Sequence, residues 1–250
     1  MNTQQPIDRN LAIMMPAYNA GKTIERVFER IPVEVHSSVL YYIVVNDGST
    51  DNTPEALARL QLRYPNFVVL DHKVNNGYGG AEKALLRHAA STEAKICVLL
   101  HADGQYAPEE LPRLITPFEE ENADMVQGSR MADGGHRALK GAMPLYKYMA
   151  NRVLSAIENL AFDMQLAEYH SGYMLYSKRA LLEIPFEKLS DSFCFDQEML
   201  VMAKINGLKI VERPIPTYYG DEVSHLKPIR YGFNVLSLVW KYKRGYYHAL

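Results

Sequence analysis

The sequence predicts a single α/β domain built on a mostly parallel sheet with helices on both faces. Short apolar runs that end in polar turns alternate with segments whose apolar residues recur at helical spacing. This alternation is typical of parallel sheets, in which the carboxyl ends of the strands share one edge. The polar turns should therefore meet at that edge. With 250 residues, the chain is long enough for one large domain of this kind.

The first half of the chain supplies most of the predicted sheet. Strands are predicted at residues 11–15, 39–45, 67–70 and 96–100, with a further one beginning at Met125. The helices predicted between them are residues 24–31, stopped by Pro32; a helix opening at Thr53 and Pro54; a helix after Gly77, Gly79 and Gly80; and residues 108–121.

The pattern changes after Arg130. Residues 131–143 are predicted to be a loop, and residues 144–162 a long amphipathic helix. The remaining predicted elements are a strand at 169–176, a helix at 195–205 and a strand at 208–211. We expect this half to complete the same domain.

Composition and charge narrow the class of protein. A net charge of −2 gives no electrostatic case for nucleic-acid binding. Two cysteines, Cys97 and Cys194, provide neither a disulfide framework nor zinc spacing, which fits a reducing cytoplasm. The polar N-terminus lacks the order of a signal peptide, and no window reaches the roughly 20 apolar residues of a spanning helix. We therefore expect a cytoplasmic protein whose contact with a membrane, if any, is peripheral or depends on a partner protein.

Two acidic turns follow predicted strands. Asp47 ends the second strand, where its carboxylate could accept hydrogen bonds from a nucleotide base or ribose, and Gly48 would allow a close backbone approach. An ordinary turn before a capped helix explains these two residues at least as well.

The second acidic turn contains His101, Asp103 and Gln105. Carboxylate and carboxamide oxygens suit a hard divalent cation, and imidazole is better tolerated by manganese than by magnesium. The carboxyl end of a strand is also where a nucleotide diphosphate would lie in an α/β sheet. For this turn alone, an Asp-Gly turn with a helix cap is the simpler interpretation.

A glycine-rich segment at residues 75–85 leads into a helix. Its backbone N–H groups and Lys83 could face phosphate, although the segment matches neither GxGxxG nor a P-loop. A plain turn with a solvated Lys83 is equally consistent with the sequence.

Three charged residues later in the chain are further candidates. Arg130 follows the fifth strand and could hold a phosphate through two parallel hydrogen bonds, or lie on the surface. Asp196 and Glu198 open a helix, where carboxylates are favoured anyway, but either could be a general base or orient an acceptor. Residues 217–232 indicate a partly basic, mobile flap or an ordinary surface connection.

The order of these motifs resembles one known family. The series is PAYN, VVNDGSTDNT, a glycine-rich NxGxGGA, ADGQ, GSR, SGYMLY, FDQE and RPIPTYYG. It resembles the family-two glycosyltransferases, especially the dolichyl-phosphate mannose synthase and polyprenyl-phosphate glucosyltransferase branch, over roughly residues 10–232. The resemblance implies the nucleotide-sugar α/β fold called GT-A. It also implies inverting transfer of a hexose, mannose or glucose, from a GDP- or UDP-sugar with Mg²⁺ or Mn²⁺.

The resemblance also assigns roles to individual residues. Those expected to bind the nucleotide sugar are Pro16, Ala17, Tyr18, Asn19, Asp47, Gly48, Lys83, His101, Ala102 and Asp103. Those expected at the metal are Asp103, Gln105 and His101. Those expected in catalysis are Asp196, Asp103 and Arg130, and those expected at the acceptor are Arg130, Glu198, Ser224, His225 and Lys227.

Two positions depart from the family pattern. Ala20 stands where the family usually has Glu, which removes one expected nucleotide contact. His101 stands at the first acid of the Asp-x-Asp motif. The lost charge should weaken magnesium binding and shift activity towards manganese, with His101 either ligating the metal or hydrogen-bonding the ribose.

The leading functional prediction is a transferase that makes a polyprenyl-phosphate hexose. The alternatives are a soluble hexosyltransferase acting on a glycan hydroxyl in cell-envelope polysaccharide synthesis, and a sugar-nucleotide-binding protein with weakened catalysis. The predicted organisation is a polar tail at 1–10 and a catalytic domain at 11–230, with a nucleotide-sugar half at 11–130 and an acceptor half at 131–230.

Residues 231–250 form an apolar, then basic, C-terminal tail. Its Trp and Tyr residues and its cations could rest on an anionic membrane surface. The segment is short for stable interfacial anchoring, so a helix docked on the core is the favoured interpretation.

Overall fold

The computed structural model describes residues 10–141, 143–216 and 228–250 of the chain. Its strands are β1 (Leu11–Ala17), β2 (Val39–Asp47), β3 (Phe67–His72), β4 (Ile96–Leu99), β5 (Met125–Ser129), β6 (Met174–Ser177) and β7 (Ile210–Pro214). Its first helices are α1 (Ile24–Glu29), α2 (Val33–His36), α3 (Thr53–Arg63), α4 (Tyr78–Ser91), α5 (Leu111–Ile115) and α6 (Pro117–Glu120). The later helices are α7 (His136–Lys140), α8 (Leu145–Phe162), α9 (Lys178–Glu183), α10 (Phe195–Ile205) and α11 (Pro228–Lys243).

The strands form one seven-stranded sheet in the order β3-β2-β1-β4-β6-β5-β7. All neighbouring pairs are parallel except those of β6, which runs antiparallel to both β4 and β5. The predicted α/β class with a mostly parallel sheet is therefore confirmed. Because β1, β2 and β4 are parallel neighbours, the turns that follow them lie at one edge of the sheet.

Apolar layers cover both faces of the sheet. In β1, Ala12 and Met14 face the layer formed with α4, α9 and α10, whereas Leu11, Ile13 and Met15 face the layer formed with α1, α3 and α5. This alternation follows from the two-residue period of a strand. It explains why the strands read as nearly continuous apolar runs, because both faces are buried.

The predicted single helix at 108–121 is wrong. The segment is a 3₁₀ turn at Pro108–Glu110 followed by the short helices α5 and α6. Pro117 opens α6 and has no N–H to continue the preceding helix. The predicted loop at 131–143 likewise contains the helix α7.

Several boundaries also differ from the prediction. β1 and β2 extend to Ala17 and Asp47, since parallel pairing continues to Ala17 and Asn46. β6 is confined to Met174–Ser177, although Tyr169 and Tyr173 are fully buried. β7 begins later than predicted and runs to Pro214.

The predicted tail after residue 230 is helical and packs on the core. Val235 and Leu238 of α11 are buried, and the Tyr242 ring lies 4.9 Å from the Phe162 ring of α8. Beyond α11, Tyr247 is buried and its hydroxyl donates to Glu198 Oε1 at 2.7 Å. Within the described residues, no helix combines the length and apolar character needed to span a membrane.

Candidate active site

A cleft of about 880 Å³ lies at the carboxyl ends of β1, β2 and β4. This volume falls within the range of small-molecule sites. Most of the site residues predicted from the sequence line this cleft. They are Pro16, Ala17, Tyr18, Asn19, Asp47, His101, Ala102, Asp103, Gln105 and Asp196. The cleft therefore lies at the sheet edge where the sequence analysis predicts that the acidic turns meet.

The turns after β1 and β2 are joined by hydrogen bonds. The Asn19 backbone N–H donates to Ser49 Oγ at 3.0 Å, and Asn19 Oδ1 accepts from the Thr50 backbone at 2.9 Å. The Ala20 backbone N–H donates to Thr53 Oγ1 at 2.8 Å. These bonds fix the PAYN turn at the cleft, with Asn19 held in the left-handed region at φ 51°.

Asp47 is buried at the floor of the cleft. Its Oδ1 accepts from the Asn76 backbone at 3.0 Å and from His72 Nδ1 at 2.7 Å. These two donors orient the carboxylate, and no donor among the described residues is bonded to its Oδ2. This placement is consistent with the predicted contact to a base or ribose.

Glycine at position 48 is required by the local backbone conformation and packing. It adopts φ +71°, and a Cβ there would lie 2.8 Å from the Asn75 backbone nitrogen. The close approach that Gly48 permits is therefore to the protein's own loop. Gly48 is outside the lining of the cleft.

Lys83 does not face the cleft. Its ammonium group donates to the Leu189 carbonyl at 2.5 Å and to Asp191 Oδ1 at 2.7 Å. The side chain is nearly buried, because α4 packs against the segment before α10. The interpretation of a solvated lysine is therefore wrong, since Lys83 anchors residues 189–191. The phosphate contact stays a prediction that this arrangement does not favour.

The turn after β4 brings His101, Asp103 and Gln105 to the cleft. Asp103 is exposed, and its Oδ1 accepts from the Gln105 backbone at 3.0 Å. Gly104 makes the turn possible by adopting φ +78°. The turn thus presents one carboxylate and one carboxamide to the cleft.

These residues fit a divalent cation that takes its other ligands from a substrate. In the described part of the chain, no group of three or more His, Cys, Asp or Glu side chains could hold a metal alone. Magnesium is commonly bound by one or two carboxylates together with substrate phosphates and waters. Asp103, with Gln105 beside it, meets that requirement at the mouth of the cleft.

His101 belongs to a hydrogen-bonded network. Its Nε2 lies 3.3 Å from the Tyr78 hydroxyl, which in turn donates to Asp196 Oδ2 at 2.7 Å. Since the Tyr78 proton is directed to Asp196, a hydrogen bond in this contact requires His101 Nε2 to donate, and in that tautomer Nε2 is not available to a metal. Burial lowers the pKa of His101, which favours the neutral ring.

Asp196 lies in the wall of the cleft and is almost completely buried. Its Oδ1 is also buried and accepts no hydrogen bond from an N–H or hydroxyl group within the described residues. Burial raises the pKa of Asp196 to about 6, against the lowering effect of the Tyr78 hydrogen bond. A carboxylate in the wall of a cleft whose pKa lies near neutral pH has the properties of a general base.

Glu82 lies beside Asp196 and was not predicted from the sequence. It is fully buried, and neither of its oxygens accepts a hydrogen bond from an N–H or hydroxyl group among the residues that the structure describes. Burial and the neighbouring Asp196 raise the pKa of Glu82 well above its ordinary value. Glu82 is therefore protonated at neutral pH and can donate to the Asp196 carboxylate.

Arg130 lies behind the cleft. Its Nη2 is 2.6 Å from Glu168 Oε2 and also donates to the His170 carbonyl at 2.6 Å. Glu168 is fully buried and accepts from Asn151 Nδ2 at 3.0 Å. Burial alone would raise the pKa of Glu168, but the Arg130 charge and hydrogen bonds hold it below its ordinary value. In this structure Arg130 therefore fixes residues 168–170 and is not placed to hold a phosphate in the cleft.

Glu198 is also outside the lining of the cleft. It accepts from the Ser190 hydroxyl at 2.6 Å and from the Tyr247 hydroxyl at 2.7 Å. It therefore ties α10 to the C-terminal residues. The other predicted acceptor residues, Ser224, His225 and Lys227, and most of the predicted flap at 217–232, lie outside the described residues.

His170 is not among the site residues predicted from the sequence, yet it lines the cleft. Its Nδ1 accepts from Gln197 Nε2 at 2.6 Å, and its Nε2 lies 3.3 Å from Glu158 Oε2. Burial lowers the pKa of His170 to about 4 and raises that of Glu158 to about 9. The pair is thus neutral at pH 7.

Sequence reasoning missed other residues that line the cleft. Their local motifs are weak, or they reach the cleft only through contacts between distant parts of the chain. Tyr78 stands inside the glycine-rich motif and could have been chosen, whereas Arg230, Tyr231 and Asn234 reach the cleft only because α11 docks there. Tyr106 is placed by accepting a hydrogen bond from the Gly172 backbone at 2.9 Å.

The chain belongs to glycosyl transferase family 2, whose model matches residues 12–184. The predicted family is thereby confirmed. The chain is 29% identical to the UDP-N-acetylglucosamine–dolichyl-phosphate N-acetylglucosaminyltransferase of Methanococcus voltae, covering 95% of this chain and 98% of that protein. It is 28% identical to the polyprenol monophosphomannose synthase of Mycolicibacterium smegmatis, covering 85% and 78%.

A solved structure supports the same fold. Glucosyl-3-phosphoglycerate synthase from Mycobacterium tuberculosis, in complex with Mn²⁺, uridine diphosphate and phosphoglyceric acid, matches with a TM-score of 0.64 at 19% identity. The match covers 92% of this chain and 78% of that one. The predicted single-domain GT-A fold is confirmed, and the protein is a glycosyltransferase by family.

Proposed function

We propose that the protein transfers a hexosyl group from a nucleoside-diphosphate sugar to a polyprenyl phosphate, with inversion at the anomeric carbon. The observation that carries the proposal is the composition of the cleft. Asp47 and Asp103 mark a donor end formed by β1, β2 and β4, whereas Asp196, His170 and Arg230 mark an acceptor end. The relatives named above, which act on dolichyl or polyprenyl phosphates, support this choice of acceptor.

The donor is a GDP- or UDP-sugar bound with its diphosphate near Asp103. Asp47 accepts hydrogen bonds from the base or ribose, and the PAYN backbone lines the nucleotide. A divalent cation, Mn²⁺ or Mg²⁺, is held by Asp103 with Gln105 beside it, and when bound it neutralises charge on the diphosphate. The complex of the structural neighbour with Mn²⁺ and uridine diphosphate supports this arrangement.

The transferred sugar is a hexose or an N-acetylhexosamine. One of the two relatives named above is an N-acetylglucosaminyltransferase and the other a monophosphomannose synthase. The similarity to both is therefore compatible with either sugar. Mannose and glucose were the sequence-based expectation, and the N-acetylglucosamine relative widens it.

The chain's own residues contribute orientation and electrostatics. As the bond from sugar to diphosphate breaks, negative charge develops on the leaving group, next to the Asp103 turn. A polyprenyl phosphate is already an anion, so it attacks without losing a proton and needs positive charge to guide it. Arg230, exposed at the acceptor end, supplies such a charge.

A second candidate acceptor is a glycan hydroxyl. The observation that favours it is Asp196, whose pKa of about 6 suits removal of a proton from a hydroxyl. In that reaction the hydroxyl proton passes to the Asp196 carboxylate, while the acceptor oxygen bonds to the anomeric carbon and the nucleoside diphosphate leaves.

The test is a transfer assay with radiolabelled GDP- and UDP-sugars. We expect label to move into the organic phase with a short polyprenyl phosphate and Mn²⁺ or Mg²⁺. Asp103→Asn should abolish transfer, whereas Asp163→Asn, at an exposed position outside the lining of the cleft, should not. Transfer only to soluble glycans would favour the second candidate, and no turnover of any nucleotide sugar would contradict both.

A further inference from the structure

The segment that precedes α10, residues 189–193, is fixed by side chains of two helices. Lys83 of α4 binds it through the two hydrogen bonds described above. Glu198 of α10 holds it as well, because its Oε2 accepts from the Ser190 backbone N–H at 2.8 Å and from the Ser190 hydroxyl at 2.6 Å. The segment is therefore anchored to both α4 and α10.

The glycine-rich turn at the start of α4 packs directly against this segment. The Gly79 backbone N–H donates to the Asp191 carbonyl at 3.1 Å. A Cβ at Gly79 would lie 2.6 Å from the Ser190 carbonyl oxygen, and a Cβ at Gly77 would lie 3.2 Å from the Asp191 carbonyl oxygen. These glycines thus allow a close approach between two parts of the chain, which the sequence analysis did not predict.

The anchored segment presents the ring of Phe193 to the cleft. Phe193 lines the cleft and is 44% exposed, whereas Phe195, two positions later, is fully buried. The Phe193 ring stacks on Tyr78, with 5.3 Å between the ring centroids and 28° between the planes. Tyr78 thus supports the ring from one side and leaves part of it exposed. An apolar ring held in this way can pack against an apolar face of a ligand.

Phe193 lies at the boundary between the donor end and the acceptor end of the cleft. Tyr78, on which it stacks, contacts His101 in the turn that carries Asp103, and also donates to Asp196 at the acceptor end. In the transfer reaction the anomeric carbon must lie between the leaving diphosphate and the attacking acceptor. The transferred sugar therefore has to occupy this boundary.

A sugar ring matches the Phe193 ring in its chemistry. A hexose carries hydroxyls around its edge and C–H groups on its faces, so one face can stack on an aromatic ring while the edge keeps its hydrogen bonds. Among the described residues that line the cleft, the exposed aromatic side chains are Tyr18 and Phe193. Tyr18 belongs to the turn after β1 at the donor end, which favours the sugar over the base as the occupant at Phe193.

We propose that Phe193, supported by Tyr78, is the platform on which the transferred sugar stacks. The ring binds and orients the sugar part of the donor and takes no part in proton transfer. The inference rests on the proposed function, since it requires a nucleoside-diphosphate sugar in the cleft. It adds a specificity-determining residue that is outside the motifs singled out in the sequence.

The test compares the Kd of a nucleotide sugar with that of its nucleotide, by calorimetric titration of the full chain with Mn²⁺ and without acceptor. The pairs are UDP-glucose or UDP-N-acetylglucosamine with UDP, and GDP-mannose with GDP. Phe193→Ala should raise the Kd of the nucleotide sugar roughly tenfold and leave that of the nucleotide unchanged, because only the sugar loses a contact.

Three further variants make the comparison specific. Phe193→Tyr keeps an aromatic ring and should bind the nucleotide sugar as the wild type does. Phe193→Leu keeps an apolar side chain without a ring, and it should show the same selective loss as Phe193→Ala. The matched control is Leu182→Ala, at an exposed leucine of α9 outside the lining of the cleft, which should change neither Kd.

Each outcome decides the proposal. A selective loss supports it, and the unchanged Kd of the nucleotide then also shows that the variant is folded. Equal losses for both ligands in variants with the wild-type Tm would overturn it, as would no loss for either. A raised KM for polyprenyl phosphate with unchanged donor affinity would assign the ring to the acceptor instead. A wild type that binds none of these ligands would contradict the proposed function itself, and the inference with it.

Discussion

Asp196 combines a hydrogen bond from Tyr78, a buried neighbour in Glu82 and a position on the cleft wall. Its pKa of about 6 means that the carboxylate form dominates above that pH. If a hydroxyl acceptor is used, the rate should therefore rise with pH through about 6. Asp196→Asn should lower it by roughly 10²–10⁴-fold. Steady-state rates from pH 4.5 to 8.5 check this expectation.

Tyr78→Phe tests whether Asp196 is the group that titrates in this pH–rate profile. It removes the hydrogen bond that lowers the pKa of Asp196, so the midpoint of the profile should move to higher pH. A midpoint that stays in place would show that Asp196 is not the titrating group.

Glu82 should act on the reaction through Asp196. A protonated Glu82 donates to the Asp196 carboxylate, and Glu82→Gln keeps a neutral donor of similar shape. We expect Glu82→Gln to leave the pH profile nearly unchanged and Glu82→Leu to raise its midpoint, because the donor is lost. A fall in the midpoint for Glu82→Gln would instead mean that Glu82 is ionised in the wild type.

At the scale of elements, α8 stabilises the site by placing polar groups inside the molecule. Glu158 has a pKa of about 9 in the folded protein, against an ordinary value of 4.5. Between these values the folded state holds a proton that the unfolded state has lost. The free energy of unfolding must therefore fall as pH rises, by up to about 1.4 kcal/mol per pH unit from this group.

Glu158→Gln should remove this pH dependence. The variant should be more stable than the wild type at pH 8 and close to it at pH 4.5, as measured by urea unfolding at each pH. Glu183→Gln, at an exposed glutamate of α9, is the control and should not change the slope. Equal slopes for wild type and Glu158→Gln would show that Glu158 is already ionised in the folded protein.

At the scale of the whole molecule, nucleotide binding should raise thermal stability. A nucleoside diphosphate at about 100 times its Kd should raise the Tm by roughly 5–10 °C. Mn²⁺ or Mg²⁺ should add to the shift with wild type but not with Asp103→Asn, whereas Asp163→Asn should respond like the wild type. A metal-dependent shift that survives Asp103→Asn would place the cation elsewhere. Comparing GDP with UDP identifies the base.

The whole fold was largely predictable because it rests on local patterns. The apolar runs, their polar turns and the helical spacing between them gave the parallel sheet and the edge at which Asp47, Asp103 and Gln105 meet. The errors arose where proline and packing override the pattern, as at Pro117, and where a charged side chain finds an internal partner, as Lys83 and Arg130 do. A sequence shows that a charge is present but not which atom across the chain it contacts.

The sequence by itself determined the class of fold, the acidic turns at one sheet edge and the family to which the motifs point. Only the tertiary structure placed Glu82 beside Asp196, 114 positions apart in the chain, and brought Tyr231 of α11 to the cleft. It alone decided that the apolar stripe of α8 faces outward. The physical reason is that periodicity reports which residues share a face, whereas burial depends on what packs against that face. On α8 the buried side must receive Arg130, Glu168 and His170, so the polar residues turn inward and the apolar stripe faces out.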